Sequence, residues 1–425
     1  MKIFDFLTQK KARPHQFERI IWEEKYASDS TKWQQACRDA AQARKELIKK
    51  ETGVGMDIAF DCYQDTCDAA KLTTGIEQKI GSAAVPLGVS SPLKINGEYA
   101  KGDYYMPLAT NEAALVAGLN RGRKATNMSG GITTSITRDW MTRSPLIEAS
   151  SLKQAREISE EIKKKYDLYE DMKRAAERGS KVSKLLDIQP FQLGRKIYLR
   201  FYYHTGDSMG MNSATKYSSS AVKVLLEKYK DAKLITLSGN MCSDKKAAHI
   251  NVLLGRGKSV EAEVLIPEDI LKSVLGVSPR SVEKLCYAKN YEGSGLSGTV
   301  TGFNLNAANT VAAMFIATGQ DAAQVVESSS CFTRAEVSDG GLLFGVTLPN
   351  LEVATVGGGT GYGTAKECLE LLGCYGPGKT PGSNSRKLAE IIAAAVLCQE
   401  LNLACVQAHG HELADSHVEL ARGKS

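Results

Sequence analysis

The 425 residues predict an α+β protein, a large region around a buried helix, with a small ferredoxin-like domain inserted into it. Three observations carry that prediction. Between Arg143 and Ser238 the elements read β-α-β-β-α-β in about ninety residues, the split unit of ferredoxin-like domains. NLNAANTVAAMFIATGQDAAQVVES (304–328) has helical period yet is small or apolar on nearly every side, the pattern of a helix enclosed by core. The chain on either side of the split unit has a different texture, so 79–144 and 238–425 must fold together as one large domain.

Taken in order, residues 1–78 are polar, poor in glycine and helix-biased (WEEKYASDSTKWQQACRDAAQARKELIKKE) and form a helical N-terminal region without evident chemistry. From Ile80 the chain changes to short strands, an Asn96-Gly97 turn, and a helix after TNEAALVAG with Thr110 as its N-cap. The inserted domain, 145–237, opens with PLIEAS as a strand. SLKQAREISEEIKKKYDLYEDMKRAAERG follows as one long amphipathic helix. KLLDIQPFQ and KIYLRFYYH are two strands, MNSATKYSSSAVKVLLEKYK a second helix, and KLITLS a buried closing strand. VEAEVLIPEDIL then alternates as a half-buried strand of the large domain.

Composition narrows the function classes. Lysine and arginine number 54 against 48 acids, a net charge of +6, which suits an anionic small ligand better than a nucleic-acid backbone. The ten cysteines include no CxxC pair and read as small buried hydrophobes in a reducing compartment, with no metal site expected. No window supplies ~20 uninterrupted apolar residues, the length that spans a bilayer. The expectation is a cytoplasmic protein without a membrane or nucleic-acid partner.

SGNMCSDKKAAHINVLLGRGKS (238–259) sets Asp244, Lys245 and Lys246 between two core-seeking segments. A solvated lysine is the commoner outcome. The strand before it, the apolar flanks and adjacent Asp244 instead make Lys245 a candidate for stabilising a developing oxyanion. Glu112 alone reads as an acid complementing a helix dipole. Asp321, read as buried on the apolar helix, requires a cation or a shared proton. GDSMGMNSATK and VGGGTGYGTAK each put glycine before a helix N-terminus, where backbone N–H groups attract anions, although neither fits the dinucleotide fingerprint GxGxxG. His409, His411 and His417 cluster in the tail. A metal site lacks acidic or cysteine partners there, and a terminal histidine acting as general acid is equally economical.

These segments together resemble class I 3-hydroxy-3-methylglutaryl-CoA (HMG-CoA) reductases. The resemblance runs through IGSAAVPLGVSSPL, PLATNEAALVAGLNRG, DWMTRSP, GDSMGMN, SGNMCSDKKAAHIN, GRGKSV, GFNLNAANTV, ATGQDAAQ and TVGGGTG, over roughly 80–425. It implies an HMG-CoA reductase-like fold and a four-electron reduction of the HMG-CoA thioester by two NADPH, giving mevalonate and CoA without a metal. Lys245 would hold the thioester oxygen, and Glu112, networked with Asp321 and Lys245, would donate a proton to the aldehyde-level carbonyl. His417 would protonate the departing thiolate, with His411 as the rival for that role. Arg143 would meet the HMG carboxylate, with Ser238, Asn240, Asp244, Lys246, Lys289 and Asn309 nearby. For NADPH the resemblance implies Asp207, Met209, Gly210, Met211 and Asn212 from the small domain, and Gly357, Gly358, Gly359 and Thr360 over the nicotinamide. Ser180 and Lys181 would face the 2′-phosphate. A homodimer or homotetramer with active sites shared between subunits is implied as well.

Four departures stand out: Glu112 is followed by Ala113-Ala114, Asn306 opens the NAAN stretch, Lys181 stands where arginine is frequent, and one extra residue separates the last two histidines. Ala113 and Asn306 leave open a paralogous acyl-CoA reductase of specialised metabolism. A catalytically silent CoA- and nucleotide-binding protein is the reading from another class; retention of Glu112, Lys245, Asp321 and His417 argues against it.

Overall fold

The computed structural model describes residues 15–62, 65, 72, 75–180 and 182–410. Its strands are β1 (Leu87–Val89), β2 (Leu93–Asn96), β3 (Lys101–Tyr104), β4 (Pro107–Ala109), β5 (Thr133–Arg143), β6 (Leu146–Glu148), β7 (Lys184–Leu193), β8 (Lys196–His204), β9 (Lys233–Thr236), β10 (Gly257–Pro267), β11 (Gly302–Phe303), β12 (Cys331–Ser338) and β13 (Gly341–Leu351). Nine of them make one sheet in the order β11-β12-β13-β10-β5-β8-β6-β9, with β7 on β8, while β1-β4 and β2-β3 form separate pairs.

β5 joins the two halves of that sheet. Thr133–Trp140 pair with β10, whereas Met141–Arg143 pair with β8, so the end of β5 lies where the two halves meet. In the inserted segment the order is β7-β8-β6-β9, all antiparallel, with the first and third strands central, the ferredoxin-like arrangement. Its helices pack a second apolar core of Ile158, Ile162, Met172, Phe201, Tyr203 and Val222, separate from the larger one.

The expected long helix of this segment is two helices, Leu152–Lys163 and Asp167–Glu177. Lys165 adopts φ 55°, its N–H donates to Ile162 O, and Tyr166 N–H donates to Glu161 O. That is a Schellman ending with lysine where glycine is usual, so no glycine marked the break. The closing strand also differs from expectation. β9 lies on the sheet edge and leaves Leu234 and Ile235 38% and 52% exposed, so it is not buried.

The buried central helix is Ser383–Ala408, nineteen of whose residues are enclosed, rather than 304–328. It is long and apolar enough to cross a membrane by length and composition, but 94% of its most apolar window is buried inside the protein. Helix Leu115–Met128 packs so tightly on it that a Cβ on Gly122 would fall 2.0 Å from Cys398 O. The 304–328 stretch is split into a helix at Ala307–Ala317, a 3₁₀ turn at Ala322–Gln324 and a short helix at Val325–Ser328. Thr318–Asp321 interrupt it, because Gly319 takes φ 65°.

The N-terminal helices Gln16–Tyr26 and Trp33–Thr52 form a hairpin over buried Trp33. Arg44 pairs with Glu18 at 2.6 Å, both enclosed, and donates to Lys79 O, which ties the hairpin to the body.

Candidate active site

The loop after β9 is the most strained segment near the sheet junction. Asn240, Ser243 and Lys245 have φ of 65°, 48° and 56°, left-handed values that cost side-chain-bearing residues roughly 1–3 kcal/mol each. Two buried arginines hold it from beneath. Arg200 on β8 donates to Met241 O and to Asn251 Oδ1, and Asn251 in turn donates to Ser243 O. Arg256, just before β10, has no exposed side-chain surface and reaches Asp244 Oδ1 at 2.7 Å, Glu327 Oε1 at 3.1 Å and Glu352 Oε1 at 2.6 Å. Glu327 Oε1 also accepts the Lys245 backbone N–H at 2.8 Å. The fold therefore over-determines the backbone of Lys245.

On that platform Lys245 Nζ lies 3.0 Å from Asp321 Oδ2, with the side chains 45% and 36% exposed. The hydrogen bond to Asp321 raises the Lys245 pKa further above its ordinary value, and the side chain is an ammonium throughout the neutral range. Burial opposes ionisation of Asp244, but Arg256, Gln324 and Arg143 outweigh it and hold the carboxyl below its usual range. Arg143 NH1 stands 3.4 Å from Asp244 Oδ2. Around Arg256 the order of effects is burial first, countered by Glu352, Asp244 and Glu327, which together keep the guanidinium charged.

A cavity of ≈ 540 Å³ opens above this floor, within the range of small-molecule sites. Lys245, Asp321, Asp244, Arg143 and Glu352 line one side, and Met209–Asn212 with Gly357–Thr360 line another. Helix Met211–Lys228 begins there behind Gly210 at φ 88°, so its unpaired first-turn N–H groups face the space. The glycine loop comes close to the Asp321 turn: a Cβ on Gly319 would sit 2.4 Å from Gly359 O. Gly357 and Gly358 add φ of 78° and 55°. A dinucleotide's pyrophosphate and ring fit such a cradle of backbone donors and absent side chains. A second cavity of ≈ 460 Å³, lined by Ala83–Val85, Ile316, Ala317, Ala365 and Cys368, shares Gly319 with the first.

The expected residues are thus only partly gathered. Lys245, Asp321, Asp244, Arg143, Met209–Asn212 and Gly357–Thr360 share the cavity. Asp321 differs from its expected placement: it caps the 3₁₀ turn, accepting from Ala323 N–H, and is not buried on a helix. Thr110 does not cap the 115–128 helix, whose N-cap is Ala114 at φ 71°. Glu112 precedes that helix in a turn, outside the cavity, and its two oxygens accept from Asn309 Nδ2 at 2.9 and 2.7 Å. Lys289 is exposed on the π-helix Tyr287–Gly293, away from the cavity lining. Ser238 and Asn240 belong to the loop but do not line the cavity, and Lys246 Nζ donates to Asp244 O.

Asp207 is corrected more sharply. It is buried, and its carboxylate accepts from Gly378, Gly382 and Ser385 N–H, so it seats the start of the central helix instead of facing a cofactor. Ser180 Oγ accepts from Ser183 N–H, off the cavity. Lys181, His411 and His417 lie outside the described residues.

Sequence reasoning missed Arg256, Glu327 and Glu352. Each left a faint signal, a lone charge in an apolar or glycine-rich setting (LLGRGKSV, QVVESS, LPNLEVATV), but no pattern linked the three.

Comparison with known proteins gives the chain's relatives. A family model described as hydroxymethylglutaryl-coenzyme A reductase matches residues 40–422. The chain is 43% identical over 424 residues to the 3-hydroxy-3-methylglutaryl-coenzyme A reductase of Methanothermobacter thermautotrophicus, covering 100% of both. It is 45% identical to that of Aeropyrum pernix, covering 91% of this chain and 90% of the relative. Among solved structures, the class II enzyme of Streptococcus pneumoniae bound to NADPH in open conformations superposes with a TM-score of 0.62 at 21% identity, covering 86% of this chain and 96% of that one.

Proposed function

The chain belongs to the hydroxymethylglutaryl-coenzyme A reductase family, and on that premise we propose that it reduces the HMG-CoA thioester to mevalonate and CoA with two NADPH. The observation that carries this reading is the Lys245–Asp321 pair at the edge of a cavity bounded by a helix N-terminus and a glycine loop. An ammonium fixed beside a carboxylate meets an oxyanion as it forms, which is what thioester reduction demands of a protein. NADPH supplies hydride when bound. Arg143 at the end of β5 lines the cavity, and in this reading it forks onto the substrate carboxylate. The apolar second cavity suits the pantetheine arm of an acyl-CoA.

The division of labour we propose follows the expected boundaries. Residues 145–237 bind NADP(H), 79–144 with 238–425 bind HMG-CoA, and 1–78 form a helical attachment. The proton donors, Glu112 toward the carbonyl and His417 toward the thiolate, are part of the proposal. Glu112 and Asn309 stand outside the cavity of a single chain. That supports a homo-oligomer in which a neighbouring subunit completes each site. Exposed Leu87, Val89 and Ile316 offer apolar surface for it. Sedimentation with activity assays tests this: full turnover by a verified monomer overturns it. We place the enzyme in the cytoplasm, in the isoprenoid-forming mevalonate route.

The decisive experiment follows NADPH oxidation and free-thiol release with purified protein and HMG-CoA. Two NADPH per CoA are expected. A folded protein that oxidises no NADPH with HMG-CoA, or that prefers another acyl-CoA, refutes the assignment.

A further inference from the structure

We propose that Glu327 and Glu352 hold one proton between them and that this buried pair, clamped on Arg256, positions Lys245 for the reduction. The inference rests on the reductase reading for its kinetic consequences, and on charge and hydrogen-bond accounting for the pair itself. Three carboxyls converge on one guanidinium: Asp244, Glu327 and Glu352 all lie within 3.1 Å of Arg256 nitrogens. Arg143 offsets a second negative charge through Asp244 Oδ2. Two cations then face three acids, with Arg256, Glu327 and Glu352 fully enclosed, and an uncompensated buried anion is expensive.

The missing proton has one economical place. Asp244 accepts from Arg256, Gln324 and Arg143. Glu327 Oε1 accepts from Arg256 and from the Lys245 N–H. Glu352 Oε1 faces only the Arg256 guanidinium, and among the described residues Glu327 Oε2 and Glu352 Oε2 have no hydrogen-bond donor, although the two side chains lie within bonding reach of each other. A proton between them satisfies two of these atoms at once. Burial pushes both carboxyls above the ordinary glutamate range, Glu352 far above it, with Glu327 as a further cause there.

The groups facing the pair from surrounding elements are Arg256 before β10, Arg143 on β5, Asp244 and Lys245 on the loop, and the Cys242 thiol beneath. Glu352 also lines the cavity. A neutral acid there keeps the floor from quenching the Lys245 ammonium, and the anionic partner holds the left-handed Lys245 backbone. Glu327 and Glu352 are therefore positioning residues, not groups that touch the reacting carbon.

The test uses the full chain with HMG-CoA and NADPH. Glu352→Ala should lower kcat about a hundredfold, with the KM for HMG-CoA changed far less, as misplacement of a reacting group does. Glu352→Gln preserves charge and the donor, and should restore kcat to within about threefold of the wild type. Because the acid must stay protonated, wild-type kcat should fall as pH rises through its raised pKa, and Glu352→Gln should lack that alkaline limb. Infrared spectroscopy supplies a readout that needs no turnover. A carboxylic-acid stretch present in the wild type at neutral pH should shift in D2O and lose intensity in Glu352→Gln. An unchanged band overturns the shared proton even if the enzyme is active on HMG-CoA. Equal damage from Gln and Ala, or an alkaline limb that survives in Glu352→Gln, overturns the positioning role. A wild type inactive on HMG-CoA with the band intact and lost in the variant refutes the reductase reading, not the pair.

Discussion

Two sets of enclosed or half-buried acids divide this molecule. On the central helix, Glu390 accepts backbone N–H groups from Glu98, Tyr99 and Ala100. Ten residues later Glu400 accepts from Leu305 and Asn306 N–H and from Thr333 Oγ1. Each stitches a distant turn to the helix, and its donors are mostly backbone. Under Lys245, by contrast, Asp244, Glu327 and Glu352 share a single buried arginine and leave carboxyl oxygens without donors. The glutamates of the two sets are equally buried, yet the first set spends its oxygens on the fold and the second, joined by half-buried Asp244, holds charge in reserve beneath a cavity. Donor accounting, not burial, distinguishes structural acids from those that serve a site.

Removing the group that the second set supports should break the contrast most visibly. Lys245→Ala is expected to lower kcat about 10³-fold, near 4 kcal/mol of transition-state stabilisation, while HMG-CoA affinity falls far less. Its melting temperature should barely move, because the side chain is 45% exposed. Parallel losses in binding and turnover would make Lys245 an anchor and shift the role to Lys246.

The complementary substitution attacks the first set. Glu390→Ala strands three backbone donors and should destabilise the fold by about 3 kcal/mol, at 1–3 kcal/mol for each buried unpaired group and partial relief by water. Activity per folded molecule should persist. Denaturant unfolding and active-site titration together check both halves, and an inactive but fully stable variant would erase the distinction.

A pH–stability curve sharpens the comparison further. Burial raises the pKa of Glu390, Glu400 and Glu352. The folded chain therefore keeps protons that the unfolded chain releases above the ordinary glutamate value of 4.5, and stability contributed by these groups declines as pH rises from there. Asp139 and Asp244 act in the opposite sense. Burial opposes their ionisation but their cations prevail, so their contribution is lost as pH falls below 3.8. Glu400→Gln should flatten the decline on the alkaline side, measured as melting temperature against pH.

The smallest effect concerns strain. Lys165 and Lys245 have nearly the same φ, 55° and 56°. Lys165→Gly should stabilise the small domain by about 0.5–1 kcal/mol, the left-handed penalty less the extra backbone entropy that glycine loses on folding, since the residue only ends a helix. Lys245→Gly relieves the same strain but should abolish turnover. Equal kinetic consequences for the two would mean that the strained loop has no special part in the site.

Much of the fold was legible because its determinants are local. Alternation in VEAEVLIP, the Asn96-Gly97 turn and the β-α-β-β-α-β order follow from side-chain period and turn chemistry. Where local signals misled, a competing long-range term prevailed. Lys165 ends a helix without glycine, and Gly319 breaks an apolar helix so that two loops can meet. The 383–408 segment, whose charges sit among its apolar residues, becomes the core helix because distant backbone N–H groups satisfy its glutamates.

The sequence by itself determined the fold class, the motifs that mark the family, and Lys245 as the residue to watch. Those are properties of residue order and spacing. Only the tertiary structure decided that Asp321 reaches Lys245 from a 3₁₀ turn, that Asp207 seats a helix, and that Arg256 gathers three acids from segments as far apart as Asp244 and Glu352. Ion pairing and desolvation depend on distance in space, and the chain's order leaves that distance free until the core has packed.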